Sequence, residues 1–399
     1  MKPLKNILLK LLIACLFISG CNEKTKTTDD KINAIISKTE KQLEYGFEMV
    51  ESKNDGNLIV PRSIEGDELL MVSSSDWTSG FFPGELWLMY KLTGNSLWKK
   101  RAKKYTELLE KEQYNTRTHD VGFMMYCSYG HGYQFANNSD YKNVLIQTAK
   151  SLSSRYNEKV QCIQSWDHSK SLYHYPVIID NMMNMELLLW ASEVTGDSLY
   201  KNMAINHANT TIKNHFRPDN SSYHVVDYAP ETGEVIKKIT NQGFADESIW
   251  ARGQAWGLYG FTVMYRYTKD IRYLEQAEKI AKLVMSYSNL PDDKIPYWDM
   301  DAPNIPNEPR DASAAAITAS ALYELMEYSQ NKMEYLKFAD TIMKSLSSEA
   351  YLNKTGSNAG FLLDHSTGNM PRNSEIDVPI NYADYYFLEA LLRKKNYKK

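Results

Sequence analysis

Residues 81–111 read FFPGELWLMYKLTGNSLWKKRAKKYTELLEK. A run of large apolar side chains leads into Thr93-Gly94-Asn95-Ser96, and a Lys-rich run follows. An almost wholly apolar run marks a helix buried on all sides, whereas the mixed second run marks an amphipathic one. Gly94 suits the left-handed residue that ends a helix, where a side chain would cost energy. The stretch therefore predicts an inner helix, a tight turn and an outer helix.

The same plan recurs along the chain. Thr195-Gly196-Asp197-Ser198-Leu199-Tyr200 repeats the turn closely, and looser copies begin at Ala136, Thr268 and Gln330. Before these turns stand apolar runs such as MELLLWASEV (185–194), WGLYGFTVMYRY (256–267) and ALYELMEY (321–328). Repetition of one helical hairpin is the mark of a ring or a solenoid. Residues 31–50, KINAIISKTEKQLEYGFEMV, resemble an outer helix with no inner one before it. The segment YADYYFLEALLRKK (382–395) resembles an inner helix with no outer one after it. These two halves complete a sixth pair, so the expected fold is all-α, an (α/α)6 barrel of six helical hairpins. An open α-solenoid is the alternative, and the matched ends favour closure.

The remaining composition narrows the partners. The chain has 399 residues and a net charge of −3, and no long basic block lies outside the extreme ends, which argues against nucleic acid. Its 28 Tyr, 12 Phe and 8 Trp supply core packing and stacking surfaces for sugar rings. At the N-terminus, Lys2, Lys5 and Lys10 flank an apolar stretch that ends in Ile18-Ser19-Gly20-Cys21. That pattern is a secretory signal with a lipobox. Residues 1–20 are thus expected to be a lipoprotein signal peptide, with Cys21 lipidated and 21–30 a polar tether. Residues 31–399 are expected to form a single barrel catalytic domain. The expected location is that of an exported bacterial lipoprotein, periplasmic or anchored to the outer membrane, touching membrane only through that lipid. Cys127 and Cys162 then remain, and their spacing leaves a disulfide open. No CxxC or HExxH pattern occurs, so no metal site is expected.

In such a ring the inner helices run parallel, so their N-termini share one mouth. Asp76, Asp120, Asp180, Asp246, Asp311 and Asp377 each stand near the start of one inner helix. Each is a candidate helix cap, because a carboxylate accepts the free amides of the first turn. Together with His119, His224 and His365, they also gather titratable groups around one concave opening, which is where an active site is expected.

Across these segments the chain resembles the unsaturated glucuronyl hydrolases, glycoside hydrolase family 88. The stretches that carry the resemblance are DWTSGFFPGELW, THDVGFMMY, IIDNMMNMELLLWAS, SYHVVDYAPETGEV, NQGFADESIWARGQAWGLYGF, DASAAAITASAL and LDHSTGNMPRNSEIDVPINYADYYFLEAL. They run from about residue 70 to the C-terminus in family order. The resemblance implies the same barrel, no cofactor, and removal of the terminal 4,5-unsaturated uronic acid from oligosaccharides made by polysaccharide lyases. It also implies hydration of the C4=C5 bond rather than attack at the anomeric carbon. Asp180 matches the general acid and base, and Asp120 a second carboxylate that assists it. Trp77, Trp166, Trp250 and Trp256 match sugar-stacking positions, and His119, His224, Gln242 and Arg252 match further substrate contacts. For Arg252 an ion pair with Asp246 or Glu247 is the structural alternative. Asn241 departs from the His found in some relatives. A monomer is expected.

An acid working near neutrality needs a raised pKa, since an ordinary Asp would be ionised. Ile178, Ile179, Met182 and Met183 supply apolar surroundings, and Asp120 adds like charge. A helix N-terminus would pull the other way. Competing functions are an unsaturated rhamnogalacturonyl hydrolase with the same fold and chemistry, an ordinary two-carboxylate glycosidase, and a lipoprotein that captures glycans without turnover.

Overall fold

The computed structural model describes residues 28–397. The six outer helices are α1 (Thr28–Lys53), α3 (Ser96–Glu107), α6 (Asp140–Ser153), α8 (Ser198–His215), α10 (Ile271–Ser286) and α12 (Lys332–Leu346). The inner ring is built from α2 (Phe81–Thr93), α4 (Val121–Met125) continued by α5 (His131–Ala136), α7 (Met185–Thr195), α9 (Ala251–Thr268), α11 (Ala312–Leu325) and α13 (Asn381–Asn396). The order alternates strictly, and the result is the (α/α)6 barrel. Helix α1 begins at Thr28, so the last three residues of the expected tether are helical. Asp29 and Asp30 explain this, because acids in a first turn oppose the helix dipole. The signal segment and Cys21 lie outside the described residues.

The ring closes between its first and last inner helices. Phe81 and Tyr385 lie 5.3 Å apart between ring centroids, and Lys395 donates to the carbonyl of Leu92 at 2.7 Å. Gly84 makes the approach possible, since a Cβ there would lie 2.5 Å from the Tyr385 ring and 2.8 Å from the Cys127 carbonyl. That carbonyl belongs to a π-helical turn, Tyr126–Gly130, which interrupts the second inner helix. Four of the five hairpin turns carry the expected left-handed residue: Gly94, Asn137, Gly196 and Lys269. The fifth inner helix ends without one, at a right-handed Met326. The next residues are equally regular, with Asn95, Asp197 and Asp270 each accepting a first-turn amide of the outer helix.

The two ends of the barrel differ. Links from inner to outer helices are the tight turns just described, while links from outer to inner helices are long, and four of the six carry short antiparallel strands. These include β1 (Val60–Glu65) with β2 (Glu68–Val72), and β3 (Tyr156–Asn157) with β4 (Cys162–Ile163). A three-stranded sheet joins β5 (Pro176–Ile178), β6 (Val225–Tyr228) and β7 (Val235–Ile239), and β8 (Ser366–Asn369) pairs with β9 (Ser374–Val378). All of them decorate the end at which inner helices start. Long loops on a rigid scaffold are where binding groups concentrate. Cys127 and Cys162 are buried and free.

Candidate active site

Asp180 sits in a 3₁₀ turn, Ile179–Asn184, between β5 and α7. The turn lies against α9, where a Cβ on Gly260 would come within 2.5 Å of the Met182 side chain. A glycine at that position lets the backbone carrying Asp180 press into the helix. Ile179 and Met182 are fully buried and Ile178 nearly so, with Ile179 and Met182 packed against the glycines of α9. The Asp180 side chain keeps 13% of its surface exposed, enough to be reached from the mouth.

Asp180 does not cap its helix. The 3₁₀ turn has Ile178 at its cap position and α7 has Asn184, neither with a side-chain cap bond. Asp180 Oδ2 is buried with no hydrogen-bond partner. Asp120, at the head of α4, makes no cap bond either. Among the six mouth aspartates, Asp311 does cap, accepting the amides of Ser313 and Ala314. Asp76 accepts Thr78 and pairs with Arg62, while Asp246 and Asp377 are exposed, the latter bound to His365.

Burial is the largest influence on Asp180 and pushes its carboxyl up to about 7. The Arg252 cation opposes that rise, and Asp120 adds a smaller upward push. Burial therefore dominates, with Asp120 a minor contributor.

His224, on the loop edge before β6, faces Asp180 with Nε2 3.7 Å from Oδ2. Its other nitrogen, Nδ1, accepts the backbone amides of Asn241 and Gln242 at 3.2 and 3.1 Å. Nδ1 is therefore the unprotonated nitrogen, and burial pushes the ring's pKa down to about 3. His224 thus presents a neutral Nε2–H to Asp180. On the other side, Asp120 accepts the Thr118 hydroxyl at 2.6 Å and stands 3.2 Å from His119 Nε2. Both histidines are buried, His119 close against Asp120 and His224 facing Asp180 without a hydrogen bond.

The four tryptophans separate into two kinds. Trp77 and Trp166 are half-buried and keep part of their rings open, Trp166 being bridged by its backbone to Thr118 beside Asp120. Trp256 is 1% exposed among Phe123, Tyr382 and Tyr386, so it packs the core beneath the site. Trp250 is nearly as buried, with His224 at 4.4 Å and Arg252 at 4.6 Å from its ring. Both stand at the buried base of the mouth and present little ring surface to it.

Arg252 is buried and paired with Asp311, rather than with Asp246 or Glu247. Those two bind Arg217 instead, through the Asp246 carbonyl and the Glu247 carboxylate. Arg252 also donates to the carbonyls of Thr367 and Gly368, and Gln242 donates to Gly368 as well. Both side chains therefore grip strand β8. Arg62 and Glu375 pair beside Asp76, and Tyr382 is buried beneath Trp77. Arg62 donates to both oxygens of Glu375 at 2.7 and 2.8 Å, and Tyr382 lies 5.1 Å from Trp77 between ring centroids. Tyr382 stands in the first turn of an inner helix, a signal the repeat already contained; Arg62 and Glu375 lie in strands with no such mark. Among the described residues, no group of three or more His, Cys, Asp or Glu stands where it would hold a metal ion.

The family model for glycosyl hydrolase family 88 matches residues 55–393. The chain belongs to glycosyl hydrolase family 88. It is 49% identical to an unsaturated glucuronyl hydrolase of Formosa agariphila, over 98% of each chain. It is 34% identical to an unsaturated chondroitin disaccharide hydrolase of Streptococcus agalactiae, over 81% of this chain and 82% of that one. Among solved structures, an unsaturated glucuronyl hydrolase specific for heparin superposes with a TM-score of 0.87 and 46% identity, covering 90% of this chain and 96% of that one. This family 88 member is accordingly a glycoside hydrolase of the unsaturated glucuronyl type. It removes a terminal 4,5-unsaturated uronic acid from oligosaccharides by hydrating the C4=C5 bond.

Proposed function

We propose that Asp180 is the group that performs the hydration, as acid first and base second. Protonated Asp180 gives its proton to C4, and the positive charge that develops is shared between C5 and the ring oxygen. The resulting carboxylate then takes a proton from water as the water oxygen bonds to C5. The hemiketal so formed opens, and the keto uronate separates from the shortened saccharide. Asp180 ends protonated, ready for the next cycle. The observation that carries this reading is a reachable, largely buried carboxyl with an unpartnered oxygen, raised by burial to about 7.

Asp120 assists from the opposite side, fixed by Thr118 and His119. Trp77 and Trp166 supply stacking surfaces for the sugar chain, and Gln242 with Arg252 positions the β8–β9 hairpin that borders it. The substrates are glycosaminoglycan-type fragments, a reading supported by relatives that are named for heparin and for chondroitin disaccharides. A panel of lyase-made unsaturated disaccharides, followed by loss of the double-bond ultraviolet absorbance, tests both the reaction and the substrate class. Absence of turnover on every member would sink the reading.

We also infer that the protein is an exported lipoprotein, acylated at Cys21 and monomeric, on the support of the Ile18-Ser19-Gly20-Cys21 sequence for the anchor. Mass spectrometry of the membrane-extracted protein would show a diacylglyceryl Cys21 at its N-terminus. An unmodified Cys21 would refute the anchor.

A further inference from the structure

Asp311 is wholly buried at the head of α11, and its two oxygens have different tasks. Oδ1 accepts the Ser313 amide at 3.1 Å, the Ala314 amide at 3.3 Å and the Ser313 hydroxyl at 2.5 Å. Oδ2 accepts Arg252 Nη1 at 2.6 Å. Arg252 completes its bonding with the Thr367 carbonyl at 2.7 Å and the Gly368 carbonyl at 2.5 Å. The guanidinium is therefore locked between α9, α11 and β8, out of water.

That placement creates a difficulty for the chemistry. A buried cation acts on neighbouring groups at low effective dielectric, and here its field reaches Asp180 and favours loss of the acid's proton. A guanidinium paired with a carboxylate presents a dipole instead of a bare charge, and a dipole's field falls off faster with distance. The other groups around this pair offer little compensation. His224, from β6, is neutral; Tyr382, from α13, is an un-ionised ring 5.5 Å from the guanidinium. Asp120, from the head of α4, pushes Asp180 in the helpful direction but is the smallest influence on it.

We propose that Asp311 is a positioning residue of the hydration reaction: from the head of α11 it fixes Arg252 against β8 and offsets the charge of that guanidinium beneath the site. The same carboxylate caps α11, which ties the acid's environment to the start of a neighbouring inner helix. The proposal rests on Asp180 being the acid.

The test is the pH dependence of kcat/KM, measured on an unsaturated heparin or chondroitin disaccharide that the unsubstituted enzyme turns over. Asp311→Asn leaves Arg252 uncompensated and moves the basic limb of the profile down by about one pH unit. Ser313→Ala removes a cap partner without altering charge, lowers the melting temperature and leaves the limb in place. Should Asp311→Asn fail to fold, Arg252→Gln supplies the converse, an upward shift of the limb in an enzyme of reduced activity. An unmoved limb in Asp311→Asn, an unmoved limb in Arg252→Gln, or an equal shift in Ser313→Ala overturns the role of Asp311. Wild-type turnover in Asp180→Asn would instead remove the acid assignment itself.

Discussion

Asp180 Oδ2 and His224 Nε2 face each other across 3.7 Å, and neither atom has a hydrogen-bond partner. The gap between them is too long for a hydrogen bond, yet both atoms are aimed at the same space. A substrate atom or a water held there would satisfy both.

Asp180→Asn keeps the shape of this arrangement and removes the transferable proton. Turnover is expected to fall by roughly 10²–10⁴-fold, the usual contribution of a general acid or base. Binding of the unsaturated disaccharide should persist, since the amide fills the same volume. Calorimetric titration of the inactive variant checks the second half. Retained turnover would assign the proton to another group.

The pH profile carries a sign that follows from the Asp180 carboxyl being raised to about 7. The acid is competent while protonated, so kcat/KM should be sustained below that value and decline above it. Between about pH 5 and pH 8 the profile should slope downward toward alkali. His224 cannot produce this limb, because its pKa is pushed down to about 3 and its ring is already neutral throughout. A profile flat across that interval would count against Asp180 as the donor.

Much of the barrel was legible because hairpin turns leave local marks. Gly94 and Gly196 announce left-handed caps, and Asn95 and Asp197 announce the amides that they accept. The strands at the mouth were not legible, since two- to six-residue pairings between loops distant in sequence have no period long enough to read. Within the site, Asp180 and Asp120 stood out by position, and the family resemblance gave them roles. What sequence concealed was pairing: nothing near Arg252 points to Asp311, 59 residues away, because only the packing of α9 on α11 joins them. For the same reason Trp256 and Trp77 looked alike as residues, although one lies in the core and the other opens onto the mouth.

The two tryptophans should therefore fail in different ways when truncated. Trp256→Ala removes a ring with 1% exposure and is expected to cost roughly 3–5 kcal/mol of stability, as large buried aromatics do. Trp77→Ala loses a half-buried surface; it should raise KM for the disaccharide while lowering stability by less. Chemical denaturation alongside steady-state kinetics separates the outcomes. A Trp256→Ala protein of undiminished stability but weakened binding would make Trp256 a sugar platform.

A second pair of buried acids, remote from Asp180, governs stability rather than turnover. Glu85 of α2 and Asp384 of α13 are both pushed up, by burial above all, and Glu85 is raised further by the charge of Asp384. Asp384 accepts the amides of Leu362 and Leu363 at 2.7 and 2.8 Å, whereas Glu85 Oε1 has no partner. Glu85 is thus the better holder of a proton. Because the folded values lie above the unfolded ones, the native state binds more protons over this interval. The associated stability is fully present below the unfolded carboxyl range and is lost as pH rises through the folded values. The melting temperature should therefore decline as pH rises above the ordinary carboxyl range, more steeply than surface carboxylates alone would cause. Glu85→Gln cannot ionise, so its decline should be shallower and its melting temperature about 1–3 °C higher at the alkaline end. Scanning calorimetry of both proteins across that range decides it, and parallel curves would mean that Glu85 carries no proton into the folded state.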